Sequence, residues 1–382
     1  VIHQADWLFP GDAPPVREGW IRIEDGVITA TGDPADLPRG STAGALRRHE
    51  GCALLPGLVN LHCHLELTTL HDRLTPGQAF PQWVEQLRGY TAGLDAADYH
   101  HAARVGVERL VAGGCTTVLD VGNTGEALGV LNDVRLSPLR AYACVETLGL
   151  DPAYAGARYD SAAAKADGRA ADDRFHPGVA PHAAYSMSAE LLRRVINHQR
   201  ARGLPLTIHA AESREEAELF ASGTGPLAEY CRRVYPEAPR HRNTTPVRWL
   251  ESEGLLPDGV ILVHGNTLDA ADMDLLARRN ATVVHCPSSH RFFGHPRFPY
   301  EELRARGINV GLGTDSLASG DSLSMGEQMR LFAESYPEVS TEEVLRLATI
   351  NGARALGLKD VGLLKPGWKA DVAVIRLEDL AR

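Results

Sequence analysis

The chain has 382 residues, 44% of them hydrophobic and 23% charged, with a formal net charge of -10. This composition excludes a disordered chain, and the acidic balance, with no basic stripe interleaved with aromatics, excludes a binder of nucleic-acid backbones. The length suits one large α/β barrel or two to three ordinary domains, and the six cysteines contain no Cys-x-x-Cys pair, the pattern of reduced, buried thiols.

Residues 1–50 read as short strands around turns, with "GWIRIEDGVITATG" alternating apolar and polar residues about the hairpin signal Asp25-Gly26. From Leu54 onward come eight short apolar runs: Leu54 to Leu61, then "TTVLDVG", "LRAYACVETL", "PGVAPHAAYS", "LPLTIHAAES", "GVILVHGN", "ATVVHCPSS" and "INVGLGTDS". Amphipathic helices fit between them. In "SAELLRRVINHQRARG", Leu191, Leu192, Val195 and Ile196 fall at helical spacing and Gly203 supplies the stop. Eight β-then-α units predict a (β/α)8 TIM barrel, whose site gathers at the C-terminal ends of its strands. The last stretch, "VGLLKPGWKADVAVIRLEDL", returns to strand character with the N-terminal unit as its partner. The expected organisation is therefore a small β-sandwich from residues 1–54 and 360–382 around a barrel over residues 55–359. The Ala/Asp-rich segment 161–173 reads as a solvated loop or exposed helix, and "YPEAPRHRNTTP" as a long rim loop. No apolar run reaches about 18 residues and nothing resembles a signal peptide, so a cytoplasmic protein with no membrane role is expected.

Polar residues sit where a barrel would use them. His62 and His64 end the first run, two residues apart and so on one face of a strand, with Cys63 turned to the wall. His182 ends the fourth run, His209 the fifth, His264 the sixth, His285 the seventh, and Asp315 the eighth. Singly, each histidine is as well explained as a satisfied polar residue, and Asp315 as a helix cap. Their coincidence at strand ends points instead to a metal site. His62, His64, His209 and Asp315 offer three imidazoles and a carboxylate, a set suited to Zn2+, with Fe2+ as the alternative, rather than Mg2+ or Ca2+. A second metal would need a bridging ligand, commonly a modified lysine, and Lys165, Lys359, Lys365 and Lys369 all lie away from these ends. One divalent metal is expected. Glu212, three residues past His209, is placed to move protons beside it, although a glutamate opening a helix would look the same.

The order of "PGLVNLHCH", "GCTTVLD", "APHAAYSMS", "HAAES", "LVHGN", "VVHCPSS", "GLGTDS", "TINGARALGL" and "GLLKPGWKADVAVI" resembles the amidohydrolase superfamily in its deaminase and chlorohydrolase branch. The resemblance implies a barrel with a small β-sandwich and a mononuclear metal on His62, His64, His209 and Asp315. It also implies Glu212 as proton shuttle, and His264 as a non-ligand, or at most a weak ligand, that polarises the attacking hydroxide with Asp315. His182 would touch substrate. Within the branch, "HCHLEL" followed by "FPQWVEQLRGY" is most similar to the 6-aminodeoxyfutalosine deaminases of menaquinone biosynthesis. That similarity implies an aminated purine nucleoside with an aromatic carboxylate tail, attacked at C6, protonated on N1 by Glu212, and releasing ammonia. Glu66 then becomes a candidate contact for the base or ribose, and Arg88 or Arg291 for the carboxylate. Rival readings are deamination of S-adenosylhomocysteine, adenosine, guanine or cytosine, a chlorohydrolase, and a non-catalytic ligand-binding barrel. Beyond a small molecule, the expected partner is at most a second copy in a homodimer. Ser316 stands where the adenosine deaminase pattern has a second Asp, and His290 where an Asn is usual.

Overall fold

Each of the eight apolar runs carries a strand in the computed structural model, which describes residues 1–38, 45–235 and 243–380. In barrel order the strands are Leu58–Cys63, Cys115–Gly122, Arg140–Thr147, Phe175–Pro181, Thr207–Ala210, Ile261–His264, Thr282–His285 and Asn309–Leu312. The first four pair in parallel, as do the last four. Bridges between Ala183 and His209 and between Cys63 and Asp315 close the two seams. Thr314 and Asp315 each donate a backbone N–H to the carbonyl of His62 at 3.0 Å, so the last strand is tied to the first at the mouth. The fold is a (β/α)8 barrel, with its functional end at the strand C-termini.

The alternation of strand residues separates two cores. Val59, Leu61, Leu119, Val121, Ile261 and Val263 fill the barrel interior, while Leu58, Val118 and Leu262 face the surrounding helices. Strand parity alone would turn His62 outward. It does not, because the register against the second strand slips: Asn60 pairs with Val118 and Cys63 with Asp120, which leaves one extra residue on the first strand. This bulge puts both Leu61 and His62 inward and keeps Cys63 in the wall.

The helix Ala189–Ala201 forms with Ser188 as its cap and buries Leu191, Leu192, Val195 and Ile196, as their spacing predicts. The Ala/Asp-rich segment differs from its reading as a solvated loop or exposed helix. Its first part lies in the helix Ala155–Asp167, which buries Ala162, Ala163 and Ala166. Methyl side chains carry little hydrophobic weight in a sequence pattern, yet they let a helix approach a sheet closely. The rim-loop reading falls largely on residues 236–242, outside the described residues.

Both ends of the chain meet in a second, six-stranded sheet. Its order is Val372–Arg376, Leu46–Pro56, Ile2–Leu8, Trp20–Glu24 and Val27–Gly32, with Val16–Arg17 beside Ile2–Leu8. Asp25 and Gly26 both take positive φ, 48° and 76°, the two-residue hairpin geometry that the dipeptide favours. Leu8, Ile21, Ile28, Leu54 and Leu364 form this sheet's core. Leu46–Pro56 leads directly into the first barrel strand at Leu58. Among the described residues, no helix is long and apolar enough to cross a membrane.

Candidate metal and active site

Asn60 knits the mouth together. Its amide donates to Thr314 Oγ1 at 2.8 Å and accepts from the N–H groups of Thr314 and His62 at 3.1 and 3.2 Å. On this frame the imidazoles of His62, His64 and His209 converge, each offering a ligand atom within 4.8 Å of the others. His62 Nε2 lies 3.1 Å from His209 Nε2, and Asp315 Oδ1 lies 3.7 Å from His62 Nε2 and 3.6 Å from His64 Nε2. The sequence candidates for metal ligation therefore come together.

The donor set fits a cation. His64 Nδ1 bonds the carbonyl of Val121 and His209 Nδ1 the carbonyl of His182, each at 2.8 Å. A carbonyl only accepts, so both Nδ1 atoms carry the proton and both Nε2 lone pairs point inward. Lone pairs on converging nitrogens repel one another unless a positive centre lies between them. Burial and the neighbouring imidazole of His62 hold His64 down to about 3, and burial with the surrounding histidines holds His209 well below the usual range. Neutral imidazole is the metal-binding form. Burial pushes the Asp315 carboxyl up, but the imidazoles of His62, His264 and His64 gathered around it outweigh that and hold Asp315 well below the carboxylate range. Ser289 Oγ and Ser319 Oγ donate to its other oxygen at 2.7 and 2.9 Å, which fixes the orientation of Oδ1.

Glu212 and His264 face each other across the site, with Oε1 and Nε2 3.5 Å apart. The Glu212 backbone is gripped on both sides, its N–H by Glu216 Oε2 at 2.7 Å and its carbonyl by Asn266 Nδ2 at 3.0 Å. Burial, then the charges of Asp315 and Glu216, raise its carboxyl well above the usual range. Burial holds His264 down to about 3, against the opposing pull of Asp315. His264 and Asp315 adopt φ of 74° and 57°, a region that non-glycine residues seldom occupy. Strain of this kind gathers at functional sites.

A cavity of about 410 Å3 opens above these groups. His182, Glu66 and Arg88 line it, together with Phe80, Trp83 and Tyr185. His182 Nδ1 meets Ser186 Oγ at 2.7 Å, and burial lowers its pKa to about 4. Arg88 donates to the hydroxyl of Tyr230 at 2.9 Å. Glu66 is 2% exposed, and both its oxygens accept backbone N–H groups, from Thr124 at 2.8 Å and Ala127 at 3.2 Å. Arg291 is placed differently: it is not among the cavity-lining residues and pairs with Asp321 at 2.8 Å on an exposed surface. Its helix, Pro287–Phe293, turns that side chain outward. His285 stacks on Phe298 at 4.1 Å and does not join the converging histidines.

A buried carboxyl group escaped the sequence reading. Glu146 stands one residue before the end of the third barrel strand and lies 3.6 Å from His209 Nδ1, and Asn123 bonds it at 3.2 Å. Burial pushes Glu146 up to about 8. A signal lies in the sequence, since Glu146 stands next to last in "AYACVET" just as His209 stands next to last in its own strand.

The model of the amidohydrolase family matches residues 53–381. A 5-methylthioadenosine/S-adenosylhomocysteine deaminase from Pelotomaculum thermopropionicum is 31% identical over 369 residues, covering 94% of this chain and 80% of that protein. In fold, the chain is similar to the aminofutalosine deaminase of Helicobacter pylori, with a TM-score of 0.86 and 22% identity over 98% of this chain and 91% of that one. A zinc-complexed atrazine chlorohydrolase from Arthrobacter aurescens gives a TM-score of 0.82 at 21% identity, covering 99% and 87% of the two chains. The family match spans the barrel and the last strand of the terminal sheet, and on it the chain belongs to the amidohydrolase family.

Proposed function

We propose that the protein is a metal-dependent hydrolytic deaminase of an adenine nucleoside carrying a 5′ substituent, with 6-aminodeoxyfutalosine as its substrate. Water adds at C6, the C6–N bond breaks, and the products are futalosine and ammonia. His62, His64, His209 and Asp315 would hold one divalent ion, with zinc the better match to three imidazoles and a carboxylate and Fe2+ the alternative. Such an ion acts as a Lewis acid and brings the pKa of water near neutrality. Glu212 takes the proton of the attacking water and delivers it to N1. His264, across from Glu212, orients that water together with Asp315. As the tetrahedral centre collapses, a second proton reaches the amine and ammonia leaves. His182 contacts the nucleoside.

One observation carries the choice of substituent: the cavity joins an aromatic wall of Phe80, Trp83 and Tyr185 to Arg88, whose guanidinium meets the Tyr230 hydroxyl and no carboxylate among the described residues. An aromatic carboxylate complements both features, by ring stacking and by a guanidinium–carboxylate pair. The 31% identical relative favours a second reading, in which the substituent is a thioether as in 5-methylthioadenosine or S-adenosylhomocysteine.

Ammonia release from adenosine, 5-methylthioadenosine, S-adenosylhomocysteine and 6-aminodeoxyfutalosine separates these readings. The expected order places 6-aminodeoxyfutalosine first in kcat/KM, with Arg88→Met lowering kcat/KM about 10- to 100-fold for that substrate, the loss of one charge-assisted pair, and leaving adenosine and 5-methylthioadenosine, which carry no carboxylate, unchanged. A tenfold preference for either thioether moves the assignment to the second reading. Silence with every adenine nucleoside refutes both.

A further inference from the structure

The mechanism above leaves Glu146 without a task, although it is the acid closest to the far side of His209. Its side chain is 3% exposed. Oε2 accepts from Asn123 Nδ2 at 3.2 Å, whereas Oε1 is buried with no hydrogen-bond partner. Oε1 lies 3.6 Å from His209 Nδ1, which donates to the carbonyl of His182 at 2.8 Å. The N–H of His209 is therefore flanked by a carbonyl and a carboxylate, while its Nε2 lone pair points at His62 and the converging ligand atoms.

Charge arithmetic gives this placement a purpose. Three neutral imidazoles and Asp315 leave a divalent ion with one uncompensated positive charge in a buried pocket, and low dielectric makes that expensive. Glu212 cannot serve as the permanent countercharge, because it must gain and lose a proton in each turnover. Glu146 lines the cavity on the Nδ1 side of His209, opposite the Nε2 that points at the converging ligand atoms, and accepts from Asn123. Carboxylates behind a metal-bound imidazole orient the ring and raise its donor strength.

We infer that Glu146 is a positioning residue for the metal centre: ionised beside a bound cation, its carboxylate supports His209 from the Nδ1 side, next to the N–H that donates to His182, and balances the charge of that cation. The inference rests on the metal reading proposed above. Its test is zinc affinity, measured on chelator-stripped protein by competition with a chromophoric chelator, for the parent, Glu146→Gln and Glu146→Asp. Glu146→Gln keeps the shape and the Asn123 neighbour but removes the charge, so zinc should bind about 10- to 100-fold more weakly, with the melting temperature of the metal-free protein unchanged. Glu146→Asp, which keeps the charge but draws it back from His209, should fall between. If Glu146→Gln does not fold, weakened binding by Glu146→Asp supports the inference and parent-like binding overturns it. Zinc affinity within twofold of the parent in the folded variants refutes the role of Glu146 and leaves the metal reading standing. No zinc binding by the parent itself refutes the metal reading, and the inference with it.

Discussion

Glu66→Gln separates two roles that a carboxylate on the cavity wall can play. Glu66 is 2% exposed, with Oε2 accepting from Thr124 N and Oε1 from Ala127 N. Those amides open the helix Glu126–Asn132, whose N-cap residue is Gly125 and brings no side chain of its own. Glu66 reaches across from another element and caps it instead. Glutamine preserves the shape but turns one acceptor into an NH2 group facing a backbone N–H. One charge-assisted bond is lost, worth about 1.5–3 kcal/mol, and one buried donor is stranded at about 1–3 kcal/mol. Relief from burying a charge returns part of this, so the expected net loss is about 3 kcal/mol. An unfolding entropy of about 2.1 cal/mol/K per residue makes that a fall of about 4 °C in Tm for a chain of 382 residues. Scanning calorimetry reads it directly. A shift under about 1 °C, accompanied by a tenfold rise in KM for the nucleoside, would show that the carboxylate serves substrate and that the capping argument is wrong. Gly122→Ala should act on the same contact, because an added Cβ would stand 2.7 Å from Glu66 Cδ.

Glu212→Gln should bind zinc as the parent does and lose at least about two orders of magnitude in kcat, the usual effect of removing an acid–base catalyst; near-normal turnover sinks its role as proton shuttle. Stripping the metal should abolish turnover, and restoring zinc to about 1,000 times its Kd should stabilise the protein by about 4 kcal/mol, read as a higher Tm than that of the metal-free form. The stacked pair His3 and His49, 3.0 Å apart between Nδ1 and Nε2, supplies a pH dependence far from the site. Burial lowers both pKa values from 6.5, helped by His49 and Arg47 for His3 and by Arg47 for His49. A lowered imidazole pKa means stability that is whole above about pH 6.5 and is lost as pH falls through the folded-state value. Replacing both histidines with glutamine should flatten the acid side of a Tm–pH curve, and an unchanged slope excludes the pair as its source.

The barrel is legible because its information is local and repeated. Each strand is a short apolar run, each helix a periodic one, and the polar residue that closes a run marks the mouth. What sequence pattern could not supply is the bulge between Asn60 and Cys63. Perfect alternation from Leu58 assigns His62 to the wall, and only pairing with the second strand reveals the extra residue that turns it inward. His62 and His64 do converge in the structure, but through a geometry that depends on a neighbour some sixty residues away. The helix Ala155–Asp167 escaped for the opposite reason. Its buried face is made of alanines, whose contribution lies in fit rather than hydrophobicity.

For the site, chemistry that needs particular residue types at strand ends could be read, and chemistry that depends on direction could not. Arg88 and Arg291 are equivalent on paper, each an arginine beside aromatic residues in a helical segment. They part because the helix Phe80–Thr91 turns Trp83, Leu87 and Arg88 toward the cavity, with Trp83 Nε1 pinned to the carbonyl of Ala318 at 2.9 Å, whereas Arg291 meets Asp321 at the surface. Glu66 lies two residues beyond His64, and its place suggested a substrate contact. The backbone amides of a different helix claim both its oxygens. Glu146 stands next to last in its strand as His209 does, where a lone glutamate has many ordinary explanations. Its significance lies in an unpartnered oxygen 3.6 Å from a ligand candidate's N–H, a relation between two strands that no reading along one of them contains.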